Sequence, residues 1–333
     1  MKTRIALIGA LLALSLAGCK SIDLGAGDAP QKDGVLLTVD FEWGRTLRYR
    51  FVSNRDIALD WDPDAGGGAG KVQKQSERVE MVVAYTPQVV DPHGISTVRA
   101  TCESVAVGRV GRPSGRGLNS DAVQKAQGRT FTLKVDPRGK IVDGSELEKL
   151  IKELGDAAFR KNARGGRIKE PDLVGDFIAS QWFLWDAVAS VENPAAGVAA
   201  GQSWRSKLWV PTPMVMRKAR DVTYRLGEIR ETETGRQAVI ESCYALAEGA
   251  PKDWPIPYSG RFQMSGTFGF LGAYEVSQLA GTGREVFNVD AGRIERNEQA
   301  YTVKMKASLP PMGIRANPHL TIEQRLTMEL LNP

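Results

Sequence analysis

Two histidines (His93 and His319) and three cysteines in 333 residues leave little material for a metal centre built on either residue type. The chain has no Gly-x-Ser-x-Gly elbow, no His-Glu-x-x-His pair and no Cys-x-x-Cys pair, so the common hydrolase, metalloprotease and zinc signatures are absent. Charge of one sign is also lacking: 44 Lys+Arg stand against 39 Asp+Glu. A net +5 over this length gives no concentrated basic surface, which argues against a nucleic-acid partner. Long apolar runs are missing as well, except at the start. With 42% hydrophobic and 25% charged residues the chain is ordinary globular material, and its 35 Gly and 17 Pro imply many turns between short elements.

The exception is informative. Lys2 and Arg4 precede an apolar stretch of 12 residues, Ile5 to Leu16, followed by Ala17-Gly18-Cys19. That is shorter than the roughly 20 residues a helix needs to cross a bilayer, and it has the proportions of a secretory signal. The tetrad Leu16-Ala17-Gly18-Cys19 resembles the lipobox of bacterial lipoproteins. The resemblance implies a lipid on the Cys19 thiol, removal of residues 1–18, and a membrane partner reached through that lipid. Lys20 rather than Asp at the next position implies the outer membrane, facing the periplasm. Removal of the leader leaves 315 residues and lowers the side-chain balance to +3. Residues 19–34 carry no periodic apolar pattern and read as a tether reaching roughly 20 Å.

After residue 34 the dominant period is two, which predicts half-buried strands. Leu320, Ile322, Leu326, Met328 and Leu330 share one parity, with Gln324 as the single polar interruption. Strands are expected at 35–43, 46–53, 78–86, 96–107, 130–136, 203–210, 221–229, 237–247, 261–270 and 284–289, with turn chemistry between them. The period switches once. Ser145 and Glu148 have capping-box spacing, and Leu147, Leu150, Ile151 and Leu154 recur at helical intervals. A second helix is expected from Pro171 to Val191, after a basic connection carrying Arg160, Lys161, Arg164, Arg167 and Lys169.

The expected fold is therefore α+β and mainly antiparallel: a curved sheet or incomplete barrel with a central helical segment. Its parts are a first strand-rich half (35–144), the helical segment (145–194) and a second strand-rich half (195–333). Three short matches in the same order suggest that the halves are related. Arg45–Phe51 pairs with Arg220–Leu226, Thr101–Gly108 with Ser242–Gly249, and Val135–Ile141 with Val289–Ile294. With Gly201-Gln202-Ser203-Trp204 at the entry to the second half, the layout resembles strand-rich bacterial lipoproteins whose function is unknown. In architecture it is similar to the incomplete β-barrel with helical lid of periplasmic lipoprotein carriers.

Several candidate sites follow. Cys102 and Cys243 are an even pair, open to two readings: a disulfide closing a loop of roughly 140 residues, worth about 4–5 kcal/mol, or two buried thiols. Asp60, Asp62 and Asp64 have calcium-loop spacing, but Ala65 and Lys71 stand where the loop needs Gly and Glu. Gly66–Lys71 lacks the first glycine and the terminal hydroxyl of a phosphate loop. No metal or cofactor is therefore expected, and no catalytic residue is assigned. Phe177, Trp182, Phe183 and Trp185 cover more than one face of a helix, either as a lid over an apolar ligand or as core between helix and sheet. The expectation is a lipid-anchored, non-enzymatic envelope protein that binds an apolar ligand or an envelope partner. The alternatives are a structural or assembly role, and a glycan hydrolase using acids such as Glu80, Asp91 and Glu241.

Overall fold

Alternation of side chains builds most of the chain. The computed structural model describes residues 34–63, 72–111, 121–162, 165–168, 173–212, 218–249, 254–258, 262–264, 271–308 and 317–331. Strand β1 (Leu47–Asp60) buries Leu47, Tyr49, Phe51, Ile57 and Leu59 and turns Arg48, Arg50 and Asp56 outward. Strands β2 (Val72–Val90), β3 (Ser96–Val110), β4 (Thr130–Val135) and β5 (Ile141–Asp143) follow it outward in chain order. The later strands do the same from the other end: β8 (Ser203–Trp209), β9 (Ala219–Thr232), β10 (Gly235–Leu246), β12 (Gly272–Asn288), β13 (Arg293–Ser308) and β14 (His319–Leu330). Antiparallel pairing of β1 with β14, Tyr49 opposite Leu330 and Arg55 opposite Gln324, joins the two meanders into one 11-stranded sheet. A small second sheet contains β6 (Phe159–Asn162), β7 (Gly165–Ile168) and β11 (Phe262–Met264). Within the expected basic connection, β6 and β7 pair antiparallel, Phe159 opposite Ile168 and Asn162 opposite Gly165.

The expected strand at 35–43 keeps the right period but makes no ladder. Val35, Leu37, Val39 and Phe41 are buried, while the backbone bonds to three separate places: Val198, Pro137 and Gly292. It is an extended plug beneath the sheet. The internal duplication fares differently. Its first two matched segments lie on β1 and β3, which have β2 between them, but their counterparts on β9 and β10 are direct neighbours. The matched segments therefore do not occupy equivalent positions, and their likeness is that of strand-turn-strand sequence in general.

Helix α1 (Ser145–Ala158) buries Leu147, Leu150, Ile151, Leu154 and Ala158 against β4. Its expected capping box does not form, because the helix begins one residue early: Gly144 is the cap, and the Ser145 hydroxyl donates to Asp143 instead. The box appears at Asp121, which accepts from the Val123 amide while Gln124 accepts from Asp121 N. The second expected helix divides into α2 (Val174–Trp182) and α3 (Asp186–Ala189). Four consecutive bulky residues, 182–185, cannot all face one side of a continuous helix. The break sends Trp185 into the core against Phe41 (5.7 Å between ring centres) and Tyr85 (6.0 Å). The turn at Gly139 (φ 79°) makes room for it, since a Cβ there would lie 2.8 Å from Trp185 Cβ.

The disulfide reading does not hold. Cys102 on β3 and Cys243 on β10 have five strands between them and are not bridged. Six strand spacings amount to about 29 Å along the sheet, at about 4.8 Å each, against a limit near 7 Å between bridged Cα atoms. Cys102 is fully buried, and burial pushes its thiol up to about 12.

Candidate functional site

The register places a row of polar residues across the inner face of the sheet. Arg109 on β3 stands opposite Glu77 on β2, Glu77 opposite Arg55 on β1, Arg55 opposite Gln324 on β14, and Gln324 opposite Tyr301 on β13. These neighbours bond to one another. Arg109 Nε donates to Glu77 Oε1 (3.1 Å), Arg55 Nη1 to Glu77 Oε2 (3.1 Å) and Arg55 Nε to Gln324 Oε1 (2.9 Å). Arg109 also pairs with Asp121 at the cap of the 3-10 turn Ala122–Ala126.

Helix α2 closes the network from above. Asp176 accepts from Arg55 Nη2 (2.5 Å), Ser53 Oγ (2.6 Å) and Gln324 Nε2 (3.0 Å). One turn further on, Gln181 accepts from Tyr85 Oη (2.5 Å). Burial works to lower the Arg55 pKa, but the Asp176 and Glu77 carboxylates overcome it and hold the guanidinium above its ordinary value. Arg55 is 1% exposed and Asp176 also 1%. Such a buried network adds little net stability over an apolar replacement, but it is costly to break from one side.

A second polar group lies across β9–β13. Arg220 (β9) is buried between two rings, its Cζ 4.4 Å from the centre of Tyr244 and 4.5 Å from that of Tyr301. Gly281 stands between those tyrosines in the row, and a Cβ there would lie 2.3 Å from Tyr301 Cβ. Asp186, at the start of α3, accepts from Tyr224 Oη (2.8 Å) and Ser206 Oγ (3.0 Å); burial pushes its carboxyl up to about 6 against those bonds. Glu285 is buried on β12, with Asn297 as its donor, and burial pushes it up to about 8. Among the described residues the Arg220 Nε and Nη1, the Glu285 Oε1 and the Tyr301 hydroxyl have no hydrogen-bond partner.

Residues from both polar groups line one pocket, with about 570 Å³ of empty space including its mouth. Phe51, Met81, Ala179, Phe183, Leu184, Leu208, Leu326 and Met328 supply apolar wall, and Ser53, Asp176, Ser180, Arg220, Asn297 and Gln299 supply polar wall. An apolar lining with a few converging polar groups is the usual composition of a small-molecule site.

Of the four expected lid residues, Phe183 lines this pocket and packs edge-on against Trp254 (6.4 Å). Phe177 is fully buried against Phe131, Trp185 is core, and Trp182 is half-buried beside Gly144. The acids named for hydrolysis do not meet. Glu80 on β2 pairs with Arg78, Asp91 holds a turn through the His93 and Ile95 amides, and Glu241 on β10 pairs with Arg225. Four strands separate Glu80 from Glu241. Asp60 accepts from the Asp62 amide; Asp64, residues 66–71 and Cys19 lie outside the described residues. Among the described residues no group of three or more His, Cys, Asp or Glu could hold a metal, and no helix is long and apolar enough to cross a membrane. Trp204 is structural: its Nε1 donates to Ala187 O (2.8 Å) and its ring stacks on Tyr224.

Sequence reasoning did not find Arg55 or Arg220 as site residues. The available signal was parity: Arg55 falls among the inward residues of β1, and Arg220 shares parity with buried Val222, Tyr224 and Leu226.

No family model matches the chain, and no curated protein matches it. A solved structure titled "Lipid-protein interactions in lipovitellin" is similar at a TM-score of 0.43 and 11% identity. The match covers 88% of this chain and 26% of that one, so this chain spans about a quarter of its length.

Two outcomes are expected. Arg55→Met leaves Asp176 buried without its cation and Glu77 with Arg109 alone, and lowers unfolding free energy in urea by about 3–5 kcal/mol. Glu285 has a folded-state pKa near 8 against an unfolded value near 4.5. Between those values the folded chain holds the extra proton, so stability falls as pH rises through that window and then levels. Asp186 contributes the same sign up to about pH 6. Glu285→Gln removes the upper part of the slope, and its melting temperature at pH 8.5 exceeds wild type by about 3 °C or more.

Proposed function

We propose that this chain is a non-enzymatic binding protein of the cell envelope that holds an apolar ligand in the pocket beneath α2 and is tethered by lipid on Cys19. The observation that carries the binding role is the pocket itself. Phe51, Met81, Leu326 and Met328 of the sheet and Phe183 and Leu184 of the helical break belong to or pack against the core and also form the apolar wall of the pocket. A gap left dry beside apolar side chains forfeits packing energy. A ligand that fills it recovers both dispersion contacts and the transfer free energy of its own apolar surface, roughly 25 cal/mol per Å².

The tether rests on sequence. The Lys2/Arg4 charge, the apolar stretch to Leu16 and the Leu-Ala-Gly-Cys tetrad support a lipid anchor, and Lys20 supports the outer membrane, facing the periplasm. Residues 19–33 lie outside the described residues; a coil of the length 19–34 would reach roughly 20 Å from the membrane.

N-phenyl-1-naphthylamine, an uncharged apolar fluorophore, tests the binding role. Saturable enhancement at one equivalent is expected with the wild-type protein and is lost in Ala179→Trp, whose indole occupies the pocket; circular dichroism reports that the variant is folded. Unsaturable enhancement in wild type, or equal binding by the folded variant, favours an assembly role instead. For the anchor, cells fed labelled palmitate should label wild type and not Cys19→Ser, and the variant should move from the membrane to the soluble fraction.

A further inference from the structure

Arg220 is 2% exposed, and its guanidinium is only partly satisfied. One nitrogen, Nη2, donates to Gln299 Oε1 (2.7 Å), while Nε and Nη1 have no partner. Tyr244 and Tyr301 cover it at 4.4 and 4.5 Å from their ring centres. Those aromatic contacts offset part of the cation's desolvation, but they leave its donors unused. Unbonded buried donors on a charged group are costly, and in a native fold they call for an explanation.

The protein's own acids do not supply one. Asp186 feels the Arg220 charge, but its carboxylate is taken by Tyr224 and Ser206. Asp176, which lines the same pocket, already accepts from Arg55, Ser53 and Gln324. Glu285 accepts from Asn297, and burial favours its uncharged form. What Arg220 does reach is the pocket, whose wall it shares with Gln299 and Asn297.

We propose that the occupant is an anionic amphiphile, with a carboxylate or phosphate head on Arg220 and an acyl chain along Phe51, Met81, Leu326 and Met328. This rests on the reading of the pocket as an apolar-ligand site. The planar guanidinium presents fixed N–H donors that suit either head group, and a charge-assisted bond is strongest where water is excluded. An uncharged head can accept a hydrogen bond from Arg220 but leaves its charge unneutralised, and a cationic head is repelled.

Displacement of N-phenyl-1-naphthylamine by dodecanoate, dodecyl phosphate and 1-dodecanol separates the head from the chain. Each is used below its micellar concentration. The acids are expected to displace the probe at concentrations at least about tenfold lower than the alcohol, and the stronger acid identifies the head as carboxylate or phosphate. Arg220→Gln should bring acid and alcohol within about threefold of each other, each referred to the variant's own probe affinity, and Arg220→Lys should retain part of the preference. With carboxyl-13C dodecanoate, the bound carboxyl should titrate at lower pH than the free acid. Equal potency of acid and alcohol in wild type overturns the head-group assignment and leaves the pocket standing; failure of all three to displace the probe overturns both. A preference that persists in Arg220→Gln overturns the role of Arg220. If that variant does not fold, the wild-type comparison and the carboxyl titration decide.

Discussion

The bond between Arg55 and Asp176 is the constraint on which the rest of this structure depends. Arg55 stands at the middle of the sheet, on the strand that joins the two meanders, and Asp176 is the inward-facing acid of α2. That contact, with the bonds from Ser53 and Gln324 to the same carboxylate and from Tyr85 to Gln181, fixes the helix over the β1–β14 seam, where apolar packing alone would tolerate sliding. Geometry sharpens the point. Each member of the row from Arg109 to Gln324 is bonded by its cross-strand neighbour, so the helix is registered to the same residues that register the strands. Replacing the row by apolar residues need not cost stability, but it would remove what specifies where α2 sits.

That placement creates the pocket. Asp176 and Gln181 hold α2 at two points, and Asp176, Ala179 and Ser180 of the helix line the pocket together with Phe51, Met81 and Met328. The break after Trp182 then divides the work of the aromatic run. Trp185 turns into the dry core beside Phe41 and Tyr85, whereas Phe183 and Leu184 remain at the pocket wall. Polar anchoring and local steric crowding together leave a gap that packing would otherwise remove.

Much of the sheet was legible because a period of two is a local property. The β14 pattern showed its inward residues directly, and Gln324 stood out as the one polar member. Its meaning was not legible, because its partners Arg55 and Asp176 lie 269 and 148 residues away. Residues 35–43 show the opposite failure: the period is real, but hydrogen-bonding partners spread over Val198, Pro137 and Gly292 cannot be read from alternation. The long helix expected through 171–191 failed for a tertiary reason, as no proline or glycine marks the break at 183–185. The duplication failed for a topological one. Short matches preserve strand and turn character, whereas neighbour order in a sheet is decided by the whole chain.

Two buried arginines, similar in exposure, distinguish scaffold from site. Arg55 meets Glu77, Asp176 and Gln324, with all three of its nitrogens bonded to the protein. Arg220 meets two aromatic rings and one amide, with two nitrogens unbonded. If burial of Arg220 served the fold alone, a carboxylate at Gln299 or Asn297 would complete it, as Glu77 completes Arg55. Those positions carry neutral amides, which line the pocket without neutralising the cation. The sheet therefore keeps one positive charge enclosed and unspent beside an apolar wall. A molecule bearing its own anion and its own apolar chain satisfies both at once, and neither half of it would do so alone.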